Sequence, residues 1–251
     1  MSQFDLTDKV AIVTGGGTGI GRGIALEFAK AGADVVVGSR KQANLDSTAE
    51  DINVLGRQSL AVVTDVRMPE QVDDLIKQTV DRFGRIDILV NNAGGSFESP
   101  VEEMSPNGWD TIININLKGT FLCCRAAGKL MIQQKHGKII NISSVAGVNG
   151  SPKMAHYGAA KAGIINLTKS LASAWAQYNI NVNCIAPGPI ETEGLKAAYG
   201  ITSEDLAERA KAIPLGRYGQ PKDIAHTAIF LASEASSFQT GETIIVSGGP
   251  R

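Results

Sequence analysis

The chain has 251 residues, 43% hydrophobic and 20% charged, with 24 Lys plus Arg against 25 Asp plus Glu. A chain this long buries a sizeable core without a disulfide or a structural metal, and its composition excludes a disordered chain, a coiled coil and a membrane span. The formal charge of −1 carries no basic surplus, so nucleic acid is not an expected partner.

The elements follow in alternation. Lys9–Thr14 is a β-branched run that stops at glycines, and Ile20–Ala31 then takes helical spacing. Strands are expected at Asp34–Ser39, Ser59–Thr64 and Ile86–Asn91, with helices near Lys41–Leu55 and Pro69–Phe83 between them. Pro69 suits a first helical turn, where its missing N–H costs little. The second half predicts one long helix over Trp109–Gln134, a strand at Lys138–Ser143 and a second long helix over Ala155–Tyr178. A strand at Asn181–Ala186 ends at Pro187-Gly188-Pro189. Short helices are expected within Glu191–Pro214, then a helix over Pro221–Ala232 and a last strand at Thr243–Ser247. Most strands are continuous apolar runs, the mark of burial on both faces, and helices between them force parallel pairing. No low-complexity linker divides the chain. Residues 1–251 therefore read as one doubly wound α/β domain with a seven-stranded parallel sheet, its substrate loop at about 188–215.

Cys123, Cys124 and Cys184 form no C-x-x-C pair, and His136, His156 and His226 show no metal spacing, so no metal is expected. The odd cysteine count fits a reducing compartment. The opening residues lack a basic and apolar leader, and the last carry no retention address, so a cytoplasmic protein is the expectation.

Three motifs carry chemistry. Thr14-Gly15-Gly16-Gly17-Thr18-Gly19-Ile20-Gly21 follows a strand and opens a helix. A helix start offers unpaired N–H groups and partial positive charge, and glycines let the backbone approach a pyrophosphate. The spacing G-x-x-x-G-x-G departs from the common G-x-G-x-x-G, but the strand–glycine–helix context points to a dinucleotide. At the end of the second strand an acid would bond the ribose hydroxyls of NAD. Ser39 and Arg40 stand there instead, and the planar fork of Arg40 suits a 2′-phosphate. NADP(H) is favoured, with NAD(H) the alternative. Third, Tyr157 and Lys161 are four residues apart on one helix, so phenol and ammonium share a face. A phenol titrates near 10 and is a poor base at neutral pH, and a nearby ammonium lowers that value. Ser144, from the strand just before, offers a hydroxyl for a carbonyl oxygen beside the phenol.

Taken together, these residues resemble the short-chain dehydrogenase/reductase family, a Rossmann-type fold. The glycine pattern, Asn91-Asn92-Ala93-Gly94, Asn116, Ser144, Tyr157-x-x-x-Lys161 and Pro187-Gly188-x-Ile190-x-Thr192 occur in its order, and the resemblance runs from Asp8 to Gly249. It implies Tyr157 as general acid/base, Lys161 on the nicotinamide ribose and Ser144 on the substrate. It implies that Asn116 kinks its helix and holds a proton-relaying water. Asp65 and Val66 would contact the adenine, and Asn92, Ile190 and Thr192 would line the cofactor channel. Ser143 adjoins Ser144, and the thirteen-residue step to Tyr157 selects Ser144. His156, on another helix face, reads as structural or at the substrate rim.

Apart from Arg209 and Arg217 near the far end, the segments walling the substrate lack an Arg cluster, so a largely apolar or neutral carbonyl or alcohol is expected. Within the family the chain resembles both 3-oxoacyl reductases and enoyl- or dienoyl-thioester reductases. Carrier-dependent 3-oxoacyl reductases dock their partner with two arginines. Lys135 and Tyr178 stand at those positions, so a carrier-protein substrate does not follow. Family members often pair their two long helices, which implies a homotetramer. A non-catalytic NADP(H)-binding protein stays open as a further reading.

Overall fold

The structure, a computed structural model, describes residues 3–195, 200 and 202–249. Its strands are β1 (Val10–Thr14), β2 (Asp34–Ser39), β3 (Ser59–Val63), β4 (Ile88–Asn91), β5 (Gly137–Ile142), β6 (Ile180–Pro187) and β7 (Thr243–Val246). They form one sheet in the order β3-β2-β1-β4-β5-β6-β7, parallel at every pairing. The expected doubly wound α/β sheet is therefore present, with strand ends shifted by one or two residues.

Alternation along the strands splits the core into two layers. Ala11 and Val13 of β1 face a cluster built with Ile24 and Phe28 of α1 (Gly19–Lys30), Leu45 and Ile52 of α2 (Gln42–Val54), and residues 221–232. Ile12, between them, faces Val72 and Leu75 of α3 (Pro69–Phe83) on the other side. Burial on both faces is why the strands read as unbroken apolar runs.

The helix expected over Trp109–Gln134 is instead three pieces. They are α4 (Pro106–Ile113), a five-residue π segment at Asn114–Lys118, and α5 (Gly119–Gln134). α4 begins earlier because Ser105 caps it, its Oγ accepting the Gly108 N–H at 3.0 Å. In the wide turn the Asn116 amide donates to the carbonyls of Ile112 at 2.9 Å and Gly95 at 2.8 Å. α6 (Ala146–Asn149) is a single turn, and α7 (Ala155–Trp175) closes at Trp175 into a 3-10 turn over Ala176–Tyr178. Trp175 packs over Gly128 of α5, where a Cβ would come within 2.6 Å of the ring. Within 191–214 the chain forms a helical turn at 193–195 and α8 (Ser203–Ala210), and residues 196–199 and 201 of that stretch lie outside the described residues. α9 (Pro221–Ala232) leads to β7. All three thiols are free and buried. Burial pushes Cys123 up to about 12 and Cys184 to about 11, and raises Cys124 as well. Among the described residues no helix is long and apolar enough to cross a membrane.

Candidate active site

Strand order reverses between β1 and β4, and this switch point opens a crevice beyond the carboxyl ends of the strands. Thr14, the last residue of β1, stitches the two strands together. Its Oγ1 accepts the N–H groups of Asn92 at 3.0 Å and Ala93 at 3.1 Å. The Asn92 amide returns to the carbonyls of Thr14 at 3.0 Å and Gly15 at 3.3 Å. The glycine turn sits on this seam. Gly15 and Gly19 have φ of +66° and +54°, which a side chain would strain.

A cleft of about 870 Å³ runs from this turn across the sheet ends. Gly15, Gly17, Thr18, Gly19 and Ile20 form its floor. Ser39 and Arg40 border one end with Lys41 and Asn44, and Asp65 and Val66 lie beside them. Asn92, Ala93 and Gly94 continue the wall, and Pro187, Gly188, Ile190 and Thr192 close the far side. Gly21 is the exception. It does not line the cleft but packs beneath it, where a Cβ would come within 2.2 Å of the Gly15 carbonyl oxygen. α1 carries no acid in its first turn, so its N-terminal field stays open to an anion. Turn, helix start and cleft fit a dinucleotide. Asp65, the acid beside Arg40 on this wall, is engaged. The Arg67 guanidinium holds its carboxyl below the usual range, gripping it at 2.5–3.1 Å.

The chemistry-bearing side chains converge on the middle of the cleft, where Asn116, Ser144, Tyr157 and Lys161 all contribute to the lining. Lys161 is 4% exposed, and its ammonium donates to the Ile142 carbonyl at 2.8 Å. It lies 5.4 Å from the centre of the Tyr157 ring. Burial pushes the ammonium down to about 8, so it stays protonated at neutral pH. Ser143 and Ser144 diverge. The Ser143 hydroxyl donates to the Lys161 backbone carbonyl at 2.7 Å, and the Ser144 Oγ accepts the Ala146 N–H at 3.1 Å on the cleft wall. Gly94 threads between the others, its missing Cβ 2.5 Å from Asn116 Oδ1 and 3.5 Å from Lys161 Nζ.

Thr14, Asn44, Met154 and Tyr218 also shape the site, and the sequence reading gave none of them a role. Thr14 alone carried a signal, as the hydroxyl residue at the strand end before the glycines. His156 is fully buried, lies off the cleft and meets the Phe97 ring edge-on with centroids 4.5 Å apart.

A family model described as Enoyl-(Acyl carrier protein) reductase matches residues 15–250. The chain is 43% identical over 246 residues to a 3-oxoacyl-[acyl-carrier-protein] reductase of Synechocystis sp., covering 97% of each. It is 40% identical over 244 residues to the (2S)-[(R)-hydroxy(phenyl)methyl]succinyl-CoA dehydrogenase subunit BbsD of Thauera aromatica, again 97% of each. Among solved structures it is similar to a short-chain type dehydrogenase/reductase from Mycobacterium marinum. That likeness has a TM-score of 0.93 and 36% identity, and covers 98% of this chain and 97% of that one.

Proposed function

The chain belongs to the short-chain dehydrogenase/reductase family, and from that premise we propose that it interconverts a ketone and a secondary alcohol with NADP(H). Membership makes it an oxidoreductase of that type, working with a nicotinamide cofactor. One observation carries the finer reading: Tyr157, Lys161 and Ser144 share the cleft wall beside the glycine turn, with the ammonium 5.4 Å from the phenol ring.

A bound nicotinamide supplies or accepts the hydride. Ser144 and Tyr157 hold the carbonyl oxygen as negative charge builds on it. Tyr157 gives that oxygen its proton in reduction and takes it back in oxidation. The Lys161 ammonium stabilises the phenolate and stays aimed because the Ile142 carbonyl fixes it. Asn116 keeps the backbone at Gly95 against the helices and holds the water that returns the proton. Gly15, Gly17, Thr18, Gly19 and Ile20 receive the pyrophosphate, with Gly21 shaping the turn from below. Asp65 and Val66 receive the adenine, and Asn92–Gly94, Pro187, Gly188, Ile190 and Thr192 the nicotinamide half. Ser39 and Arg40 favour the 2′-phosphate. Asp65 does not compete for the ribose, because Arg67 occupies its carboxylate.

The substrate end is lined by Gly95, Ser96, Met154, Leu195 and Tyr218, with Glu193 at its edge. No cation besides Lys161 faces it among the described lining residues, which favours a neutral, largely apolar substrate. Both curated relatives named above act on acyl thioesters, so a 3-oxoacyl thioester is the first substrate to try. The description of the family model favours a second reading, reduction of a 2-enoyl or 2,4-dienoyl thioester. The chain forms one domain with its substrate loop near 188–215, and assembles as a homotetramer through α4, α5 and α7.

The test is a panel of ketones, 3-oxoacyl thioesters and 2-enoyl thioesters with NADPH and NADH, followed at the nicotinamide absorbance. Oxidation of NADPH by the ketones or 3-oxoacyl thioesters supports the proposal. Turnover of enoyl thioesters alone replaces it with the second reading. NADPH binding with no turnover on any substrate leaves a non-catalytic binder.

A further inference from the structure

β5 and the two residues after it show an anomaly. The strand is buried on both faces, yet its α7 side carries Asn141 and Ser143 in place of aliphatic residues, at 0% and 2% exposure. A buried hydroxyl or amide is costly unless bonded, and an aliphatic side chain would fill the space without that requirement. Both groups are bonded to α7. Asn141 Nδ2 donates to Thr168 Oγ1 at 2.9 Å, and Ser143 Oγ donates to the Lys161 carbonyl at 2.7 Å.

The second bond lands on the residue whose ammonium returns to the same strand. Lys161 Nζ reaches the Ile142 carbonyl at 2.8 Å, so Lys161 is gripped at its backbone by Ser143 and at its side-chain tip by Ile142. Gly147 of α6 presses on the same turn, where a Cβ would meet the Lys161 carbonyl carbon at 2.6 Å and the Ala162 nitrogen at 2.7 Å. Three contacts from one short stretch of chain therefore fix the axial position of α7 one helical turn beyond Tyr157. Ser144 belongs to that same stretch. Any slide of α7 along β5 would separate Ser144 from both Tyr157 and Lys161.

We propose that Ser143 is a positioning residue for the reaction, its hydroxyl holding α7 in the one register that brings Tyr157 and Lys161 to Ser144. The proposal rests on the reading of Tyr157 as the acid/base given above. Ser143 borders the cleft but is only 2% exposed, and its hydroxyl proton is committed to the Lys161 carbonyl, so it acts through α7. Removing the hydroxyl leaves that carbonyl its own helical N–H partner, so Ser143→Ala keeps α7 intact and loosens its seat at the Lys161 backbone, where Ser143 holds it. Misplacement on the scale of an ångström costs a reaction of this kind up to about 100-fold.

The test measures Ser143→Ala, Ser143→Thr and Tyr157→Phe with acetoacetyl-CoA and NADPH, and the reverse direction with 3-hydroxybutyryl-CoA and NADP. Ser143→Ala should lower kcat roughly 10- to 100-fold with little change in either KM. As the ammonium drifts from the phenol, the phenolate loses support. The acid limb of the oxidation profile should then move to higher pH. Ser143→Thr keeps a donor and should restore most of kcat and the pH profile together. Wild-type kcat and profile in Ser143→Ala would overturn the proposal, and so would a loss of thermal stability alone with unchanged kcat. Tyr157→Phe separates the two claims. If it stays active, the acid/base reading fails, and a Ser143→Ala loss restored by Thr then still supports a positioning role for whatever group α7 presents.

Discussion

Tyr157→Phe keeps the ring and removes the proton, so it should lower kcat by at least about 100-fold while NADPH binding, followed by fluorescence titration, stays near wild type. Retained turnover would remove the phenol from the mechanism. Lys161 makes a different claim, because its burial costs stability. Below about pH 8 it is protonated in both folded and unfolded chains, and the cost is felt in full. Between about 8 and its ordinary 10.5 the folded group gives up its proton first, so the unfolded chain binds more protons and stability rises with pH. Methionine in its place carries no such cost. The stability advantage of Lys161→Met over wild type should shrink by roughly 3 kcal/mol across that window, measured by urea unfolding at a series of pH values. A pH-independent difference would refute the burial account. At this scale the sequence was informative wherever chemistry depends on residue type and spacing. Tyr157 with Lys161, and Ser39 with Arg40, are visible as letters. Thr14 headed the glycine motif but was given no role, because its work is to bond the backbone of a strand distant in sequence, and Ser143 was read only as a neighbour of Ser144.

Among the elements, the strand–turn–helix at the N-terminus depends most on missing side chains. Gly21→Ala places a methyl 2.2 Å from the Gly15 oxygen and 2.4 Å from the Asn92 amide. It should cost about 1–3 kcal/mol in urea unfolding and weaken NADPH binding with it, since the turn is what moves. Gly56→Ala is the control. Its φ is +80° but nothing lies within 4 Å, so only the conformational cost of about 1–2 kcal/mol applies and cofactor binding should not change. Equal effects on binding would sink the distinction. Strands and most helices were legible because period and glycine punctuation are local. The π segment was not. Apolar spacing runs through Asn114–Lys118 without a break, and the wide turn is organised by Asn116 reaching Gly95, a residue from another part of the chain. Its helix was expected to kink at Asn116, but not to divide into α4 and α5.

At the scale of the whole molecule, Trp109 on α4 is 40% exposed and Phe121 on α5 is 45% exposed, consistent with a surface that another copy covers. Light scattering at micromolar concentration should give the mass of a tetramer, and Phe121→Glu should lower it. A monomeric wild type would end the assembly proposal. The parallel sheet was legible in its unbroken apolar runs, but its strand order was not, because runs of Val and Ile do not say which neighbour they meet.

The three thiols have one more consequence. A maleimide attacks thiolate, and these sulfurs are both shielded from solvent and held protonated by their surroundings. The folded protein should therefore label only as fast as it opens, and its own cysteines become a clock for that opening. NADPH, by binding the closed form, should slow the clock by the factor 1 + [L]/Kd when reclosing outpaces labelling. Mass spectrometry would read the number of tags on each molecule. Molecules with no tag or all three would mean that the α5–α7 layer of the core opens as one unit. A persistent population carrying Cys184 alone would mean that the sheet beneath α7 yields first.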